Sequence, residues 1–198
     1  MSEFGLVVIG ASWGGLAAAS KLFAEMPGDF TLPIVLVQHR SKHSDDLLAS
    51  LLQSVTQLRV VDVEDKEPLA PASVYIAPAN YHLMVERGYL SLTTDPLVRF
   101  SRPSIDVTFA SAADSYRRAT IGVVLTGAND DGTRGLRRIV DNGGKAIVQD
   151  PDTAESKAMP AAAVKAVPEA DVLPLEKIPA RLVMLAAQPK QQHEMRAG

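Results

Sequence analysis

The chain of 198 residues is 46% hydrophobic, enough for one sizeable core, so a single domain over residues 2–187 is expected, with 188–198 as a polar, disordered tail. Its 20 basic against 23 acidic residues give a net charge of −3, without the basic footprint that nucleic acid or an anionic membrane surface would require. Cysteine is absent, which excludes disulfides and thiolate chemistry, and no apolar run approaches the ~20 residues of a membrane span or resembles a signal peptide; the expectation is a cytoplasmic protein.

Short apolar runs alternate with amphipathic stretches along the chain. Leu6 to Ile9 reads as the first strand, followed by a helix from Leu16 to Met26 that Pro27-Gly28 ends. Pro33 to Gln38 reads as a second strand, its nearly continuous apolar character implying cover on both faces. Ser44 is a candidate helix cap, with Asp45 and Asp46 in the first turn and Leu47, Leu48, Leu51, Leu52 and Val55 as the buried stripe. Arg59 to Val63 and Ser73 to Ala77 follow as strands. His82–Glu86 and Tyr89–Thr93 flank Arg87-Gly88 as a hairpin, which predicts a mixed sheet. Pro103 and Ser104 open a helix in which Ile105, Phe109, Ala112 and Tyr116 recur at helical spacing. Ile121 to Thr126 is a buried-type strand ending in the turn Gly127 to Gly132, and the next helix stops at Gly143-Gly144. Ala146 to Gln149 is another strand, Pro160 is placed as the first residue of a helix through Val167, and Ile178, Leu182, Val183 and Leu185 mark the last helix. The fold class is α/β: a doubly wound, mostly parallel sheet flanked by helices, with an antiparallel hairpin near residues 82–93.

In such sheets sites gather beyond the carboxyl ends of strands. Three of these ends carry reactive side chains: Ser12, within Gly10-Ala11-Ser12-Trp13-Gly14-Gly15, then His39, then Asp130 or Asp131. Serine needs a base to take its proton, imidazole is the usual base, and a carboxylate fixes the imidazole's tautomer. Taken singly, Ser12 reads as a helix cap, His39 as a strand-end residue and the aspartate as a turn residue. Together they read as a nucleophile–base–acid set. The Gly10 to Gly15 turn fits a nucleophile elbow and equally a phosphate-cradling loop. The order Ser, His, Asp, with the serine on the first strand, is not that of an ordinary α/β-hydrolase. Neither GxGxxG nor Walker A is present.

Several motifs in order resemble one family, the catalytic domain of the chemotaxis protein-glutamate methylesterases (CheB). They are Ile9-Gly10-Ala11-Ser12 with Gly14-Gly15, Val37-Gln38-His39, Ile76-Ala77-Pro78 with Asn80-Tyr81-His82, Arg102-Pro103-Ser104-Ile105-Asp106, Leu125-Thr126-Gly127 with Asp131-Gly132, and Gln149-Asp150 with Met159-Pro160. The resemblance implies a triad of Ser12, His39 and Asp131, with Asp131 rather than Asp130 as the acid. It implies hydrolysis of glutamate methyl esters on the cytoplasmic helices of chemoreceptors, with glutamine deamidation as a related activity and neither metal nor organic cofactor. The Trp13 and Ala128 amides are candidates for the oxyanion hole, and Trp13, Arg40 and Arg102 for contact with substrate. The competing expectation is a catalytically idle adaptor of the same fold.

The chain departs from the family's pattern in two places. Trp13, its single tryptophan, follows the serine where threonine is common, and Ala128-Asn129 stands where Met-Gly is common. Family members usually carry an N-terminal receiver domain, whereas here the first strand begins at once. Three readings stay open: an excised domain, a stand-alone esterase regulated otherwise, or a unit whose receiver domain or kinase partner is on another chain. His43, His82 and His193 are the remaining histidines, with His82 expected to be structural or at the rim.

Overall fold

The structure, a computed structural model, describes residues 4–40 and 47–189. The expected cap at Ser44, the acidic pair Asp45-Asp46, His43, His193 and most of the predicted tail lie outside the described residues.

Among the described residues ten strands form two sheets: β1 (Leu6–Ala11), β2 (Ile34–Gln38), β3 (Arg59–Asp62), β4 (Glu67–Pro68), β5 (Ser73–Ile76), β6 (His82–Glu86), β7 (Tyr89–Thr93), β8 (Thr120–Val124), β9 (Lys145–Gln149) and β10 (Asp171–Leu173). Seven make an all-parallel sheet in the order β10-β9-β8-β1-β2-β5-β3. The chain starts at the centre with β1, passes to β2 and then to the edge strand β3, comes back to insert β5 between β2 and β3, and later returns beside β1 with β8 before continuing outward the other way through β9 and β10. That reversal opens a crevice at the carboxyl ends of β1, β2 and β8. Register sets these ends level, with Ala11 opposite Gln38 and Gly10 opposite Val124.

β1, β2 and β8 are buried at every position, because helices cover both faces. Alternation of side chains divides the core in two. Val7 and Ile9 point to one face, with Leu22 and Phe23 of α1 (Gly15–Ala24), Leu52 of α2 (Leu48–Gln53) and Leu182 of α6 (Ile178–Ala186). Leu6 and Val8 point to the other, with Phe109 of α3 (Ile105–Tyr116), Leu136 of α4 (Thr133–Asp141) and Ala163 of α5 (Ala158–Ala166). Each fully buried large apolar side chain contributes about 1.5–3 kcal/mol.

The hairpin does not enlarge the main sheet, as a mixed sheet would require. β6 and β7 join β4 in a separate antiparallel sheet ordered β4-β7-β6. That sheet is tied to α3: Thr108 Oγ1 donates to the Leu83 carbonyl at 2.8 Å, and the Val85 amide donates to Ser111 Oγ at 2.9 Å. Other expectations shift. Of the predicted α2 stripe only Leu48 and Leu52 are buried, while Leu47, Leu51 and Val55 are exposed, because this helix is one and a half turns long and touches the core along one edge. α5 begins at Ala158, so Pro160 is its third residue rather than its first, still among the positions whose N–H lacks an intrahelical acceptor. Ser12 caps nothing, since the residue preceding α1 is Gly14.

Candidate active site

Ser12 follows the last residue of β1, on a turn that must pass into α1 within three residues. Gly14 makes the reversal at φ 73°, a left-handed conformation that costs a residue with a Cβ about 1–2 kcal/mol. Gly15 is required for a different reason. A Cβ there would fall 2.0 Å from Gln38 Oε1. The close approach lets Gln38 Nε2 donate to both the Ser12 carbonyl, at 2.8 Å, and the His39 carbonyl, at 2.9 Å, clamping the two strand ends together. The turn is also held from the segment that follows β8: the Ser12 amide donates to the Thr126 carbonyl at 3.0 Å, and Thr126 Oγ1 donates to the Trp13 carbonyl at 2.9 Å.

His39 lies between Ser12 and Asp131. Its Nε2 is 2.8 Å from Asp131 Oδ2 and its Nδ1 is 3.3 Å from Ser12 Oγ. An ionised carboxylate only accepts, so the imidazole proton resides on Nε2 and the Nδ1 lone pair faces the serine hydroxyl. Exposure falls along the series. The His39 side chain is 13% exposed and that of Asp131 1%.

Asp131 is the most heavily bonded member. Oδ2 also accepts from the Ile105 amide at 2.7 Å, while Oδ1 accepts from Ser104 Oγ at 3.0 Å, the Asp106 amide at 2.9 Å and the Gly132 amide at 3.0 Å. Ile105 and Asp106 are the first residues of α3, so this carboxylate from the β8–α4 loop serves as the cap of a helix distant in sequence. Burial alone would raise its pKa. The hydrogen bonds from His39, Asp106 and Ile105 outweigh burial and hold the carboxyl below the ordinary carboxylate value. Asp106, also buried, is pushed up instead, with its main-chain support limited to the first turn of α4.

The two aspartates are thereby separated. Asp130 pairs with Arg99 at the surface and takes no part in the series. Asn129, which stands beside them, is bound at both ends of its amide: Oδ1 accepts from the Asp131 amide at 3.1 Å, and Nδ2 sits 3.4 Å from His39 Nδ1. Neither Ser104 nor Asn129 was singled out as a site residue from the sequence. The Pro103-Ser104 helix start was the available signal for Ser104.

The remaining sequence candidates lie around this series. Trp13 is 67% exposed next to Ser12, and Ala128 is exposed on the loop after β8. Arg40 lines a pocket of about 200 Å³ with His39, and its Nη2 donates to the Ala77 carbonyl at 3.3 Å. Arg102 lines the same pocket but its guanidinium is committed elsewhere, to the Thr94 and Asp95 carbonyls and to Asn80 Oδ1. His82 is buried and bonded at both nitrogens, Nε2 donating to the Pro96 carbonyl and Nδ1 accepting from the Ser104 amide. Among the described residues no group of three or more His, Asp or Glu is arranged to hold a metal, and no helix is long and apolar enough to cross a membrane.

Comparison with known proteins follows the same outline. Residues 7–182 match the family model described as CheB methylesterase. A Leptospira interrogans protein named for protein-glutamate methylesterase and protein-glutamine glutaminase activity is 44% identical over 87% of this chain and 90% of its own length. The Myxococcus xanthus protein-glutamate methylesterase FrzG is 41% identical over 90% of this chain, which spans 54% of that protein. The crystal structure of the Thermotoga maritima CheB methylesterase catalytic domain superposes with a TM-score of 0.87 at 36% identity, covering 92% of this chain and 98% of that one.

Proposed function

The chain belongs to the CheB methylesterase family, and on that premise we propose that it is a cytoplasmic protein-glutamate methylesterase whose nucleophile is Ser12, with His39 as base and Asp131 as the acid that orients it. Residues 2–187 are the catalytic domain in this reading. The observation that carries it is the unbroken series Ser12 Oγ to His39 Nδ1, at 3.3 Å, and His39 Nε2 to Asp131 Oδ2, at 2.8 Å. A contact of 3.3 Å is within the range that tightens when substrate is bound.

His39 Nδ1 takes the hydroxyl proton as Ser12 Oγ attacks the γ-ester carbonyl, and Asp131 stabilises the resulting imidazolium. The tetrahedral intermediate needs main-chain donors. The Ser12 amide is bonded to Thr126, the Gly127 amide to Ser156 and the Gly15 amide to the Ser12 carbonyl, and from the other amides of these two turns this reading takes those of Trp13 and Ala128 for that role. Collapse of the intermediate breaks the bond to methoxide, which leaves as methanol with the proton from His39. Water then gives its proton to His39 and attacks the glutamyl–Ser12 ester, releasing glutamate and the serine. The same steps on a glutamine side chain expel ammonia, consistent with the second activity in the name of the Leptospira relative. No step requires a metal or organic cofactor.

The substrate in this reading is a methylated chemoreceptor or a similarly methylated protein, with Trp13 and Arg40 as contacts at the rim. Arg102 is better assigned to holding the Thr94-Asp95 segment. Methanol release from receptor membranes carrying labelled methyl groups tests the proposal. Wild type is expected to release methanol, and Ser12→Ala to fall by at least about a thousandfold. Equal release by the two would refute Ser12 as nucleophile, and release by neither would leave an idle adaptor.

A further inference from the structure

Resting on the esterase reading above, we infer that the two-residue turn Arg99-Phe100 is a docking element for the polypeptide that carries the ester, with Phe100 anchoring an apolar side chain of that polypeptide next to the reacting glutamate. Val98 and Ser101 pair across the turn, the Val98 amide donating to the Ser101 carbonyl at 3.1 Å and the Ser101 amide to the Val98 carbonyl at 2.9 Å. Between them Arg99 has φ 50° and Phe100 φ 63°. A tight turn with two positive φ angles is ordinarily built from Asn and Gly, and this one is built from two bulky side chains. Such backbone strain persists where the surroundings hold it, and it clusters at ligand clamps.

Here the hold is visible. Arg99 forms an ion pair with Asp130, the residue before Asp131, so the turn is fastened to the loop that supplies the proposed acid. The consequence is an exposed phenylalanine. Phe100 is 97% exposed, and Leu97 before it 46%. Both help to line the pocket of about 200 Å³ that His39 and Arg40 also line. That volume is below the roughly 300–1,000 Å³ of sites that enclose a whole small molecule. It suits one side chain of a larger substrate. The proposed base and an exposed aromatic ring thus share one pocket, and aromatic residues are enriched at the cores of protein interfaces.

The test compares two esters: receptor membranes carrying methylated glutamates, and a capped single-residue glutamate γ-methyl ester that cannot reach the turn. For Phe100→Ala, the ratio of kcat/KM for the membrane substrate to that for the small ester is expected to fall at least about tenfold, mainly through KM, whereas Phe100→Leu keeps most of it. Arg99→Ala, which unfastens the turn, is expected to lower the same ratio. An unchanged ratio in Phe100→Ala overturns the inference, including the case of equal losses on both esters. So does a wild type that is dimeric in light scattering and becomes monomeric in Phe100→Ala with the ratio unchanged, which would make the ring a contact between copies. A wild type inactive on both esters refutes the esterase reading itself and this inference with it.

Discussion

Asp131 has two duties that a single substitution separates from those of Ser12. It accepts hydrogen bonds from the Ile105, Asp106 and Gly132 amides as well as from His39. Removing the carboxylate leaves buried amide donors without partners, each at a cost of about 1–3 kcal/mol. Asp131→Ala is therefore expected to lose at least about 3 kcal/mol of stability, and kcat by roughly four orders of magnitude. Ser12→Ala, which removes a hydroxyl that among the described residues bonds only to His39, is expected to stay within about 0.5 kcal/mol of wild type. Urea denaturation beside turnover measurements checks both. An Asp131→Ala protein as stable as Ser12→Ala would contradict the capping role. Choosing between Asp130 and Asp131 was beyond the reach of local sequence, since both occupy the same turn. The distinction arises from tertiary partners, Arg99 for one and the start of α3 for the other.

At the scale of elements, the strand ends are aligned by a few close approaches. Gly15→Ala would push a Cβ against Gln38 Oε1, at 2.0 Å in the undisturbed geometry, and break the clamp between the Ser12 and His39 carbonyls. Overpacking of this kind costs about 1–3 kcal/mol. A drop in kcat is expected as well, because Ser12 Oγ and His39 Nδ1 would no longer be set at their separation. Calorimetry and turnover of Gly15→Ala measure this, and unaltered values for both would contradict the clamp. The strands that bear Ser12 and His39 were legible because their apolar runs are nearly continuous, as cover on both faces demands. β4 and β10 were not, being two and three residues long with no fully buried position. The Arg99-Phe100 turn left no trace in the sequence either, since nothing in it resembles a turn that needs positive φ. The α2 stripe misled because five apolar residues at helical spacing exceed what a six-residue helix at the sheet's margin can bury.

Across the whole molecule, the site and the acid limb of stability are linked through the same carboxylate. Folding holds Asp131 below the ordinary carboxylate value because the hydrogen bonds from His39, Asp106 and Ile105 outweigh its burial, while in the unfolded chain it titrates near the usual ~3.9. The unfolded chain then binds the proton more readily. Stability from Asp131 is fully present above the unfolded value and is lost as pH falls through the folded one. Asp106, raised by burial, acts with the opposite sign, since ionising it opposes folding and acid relieves that cost. The difference in unfolding free energy between wild type and Asp131→Asn is accordingly expected to be largest above about pH 5 and to narrow below about pH 4. A gap independent of pH would contradict the assignment. What unites these scales is a doubly wound sheet whose reversal brings the ends of β1, β2 and β8 level, so that residues remote in sequence meet at one edge.

The central claim, that Ser12 carries the glutamyl group between two half-reactions, is tested most directly by mass spectrometry of enzyme quenched in acid during turnover of a peptide bearing a glutamate γ-methyl ester. The expected result is a mass increase equal to the peptide less methanol, located on Ser12 and absent from Ser12→Ala. Methanol release with no covalent adduct at any time, or an adduct on another residue, would contradict it.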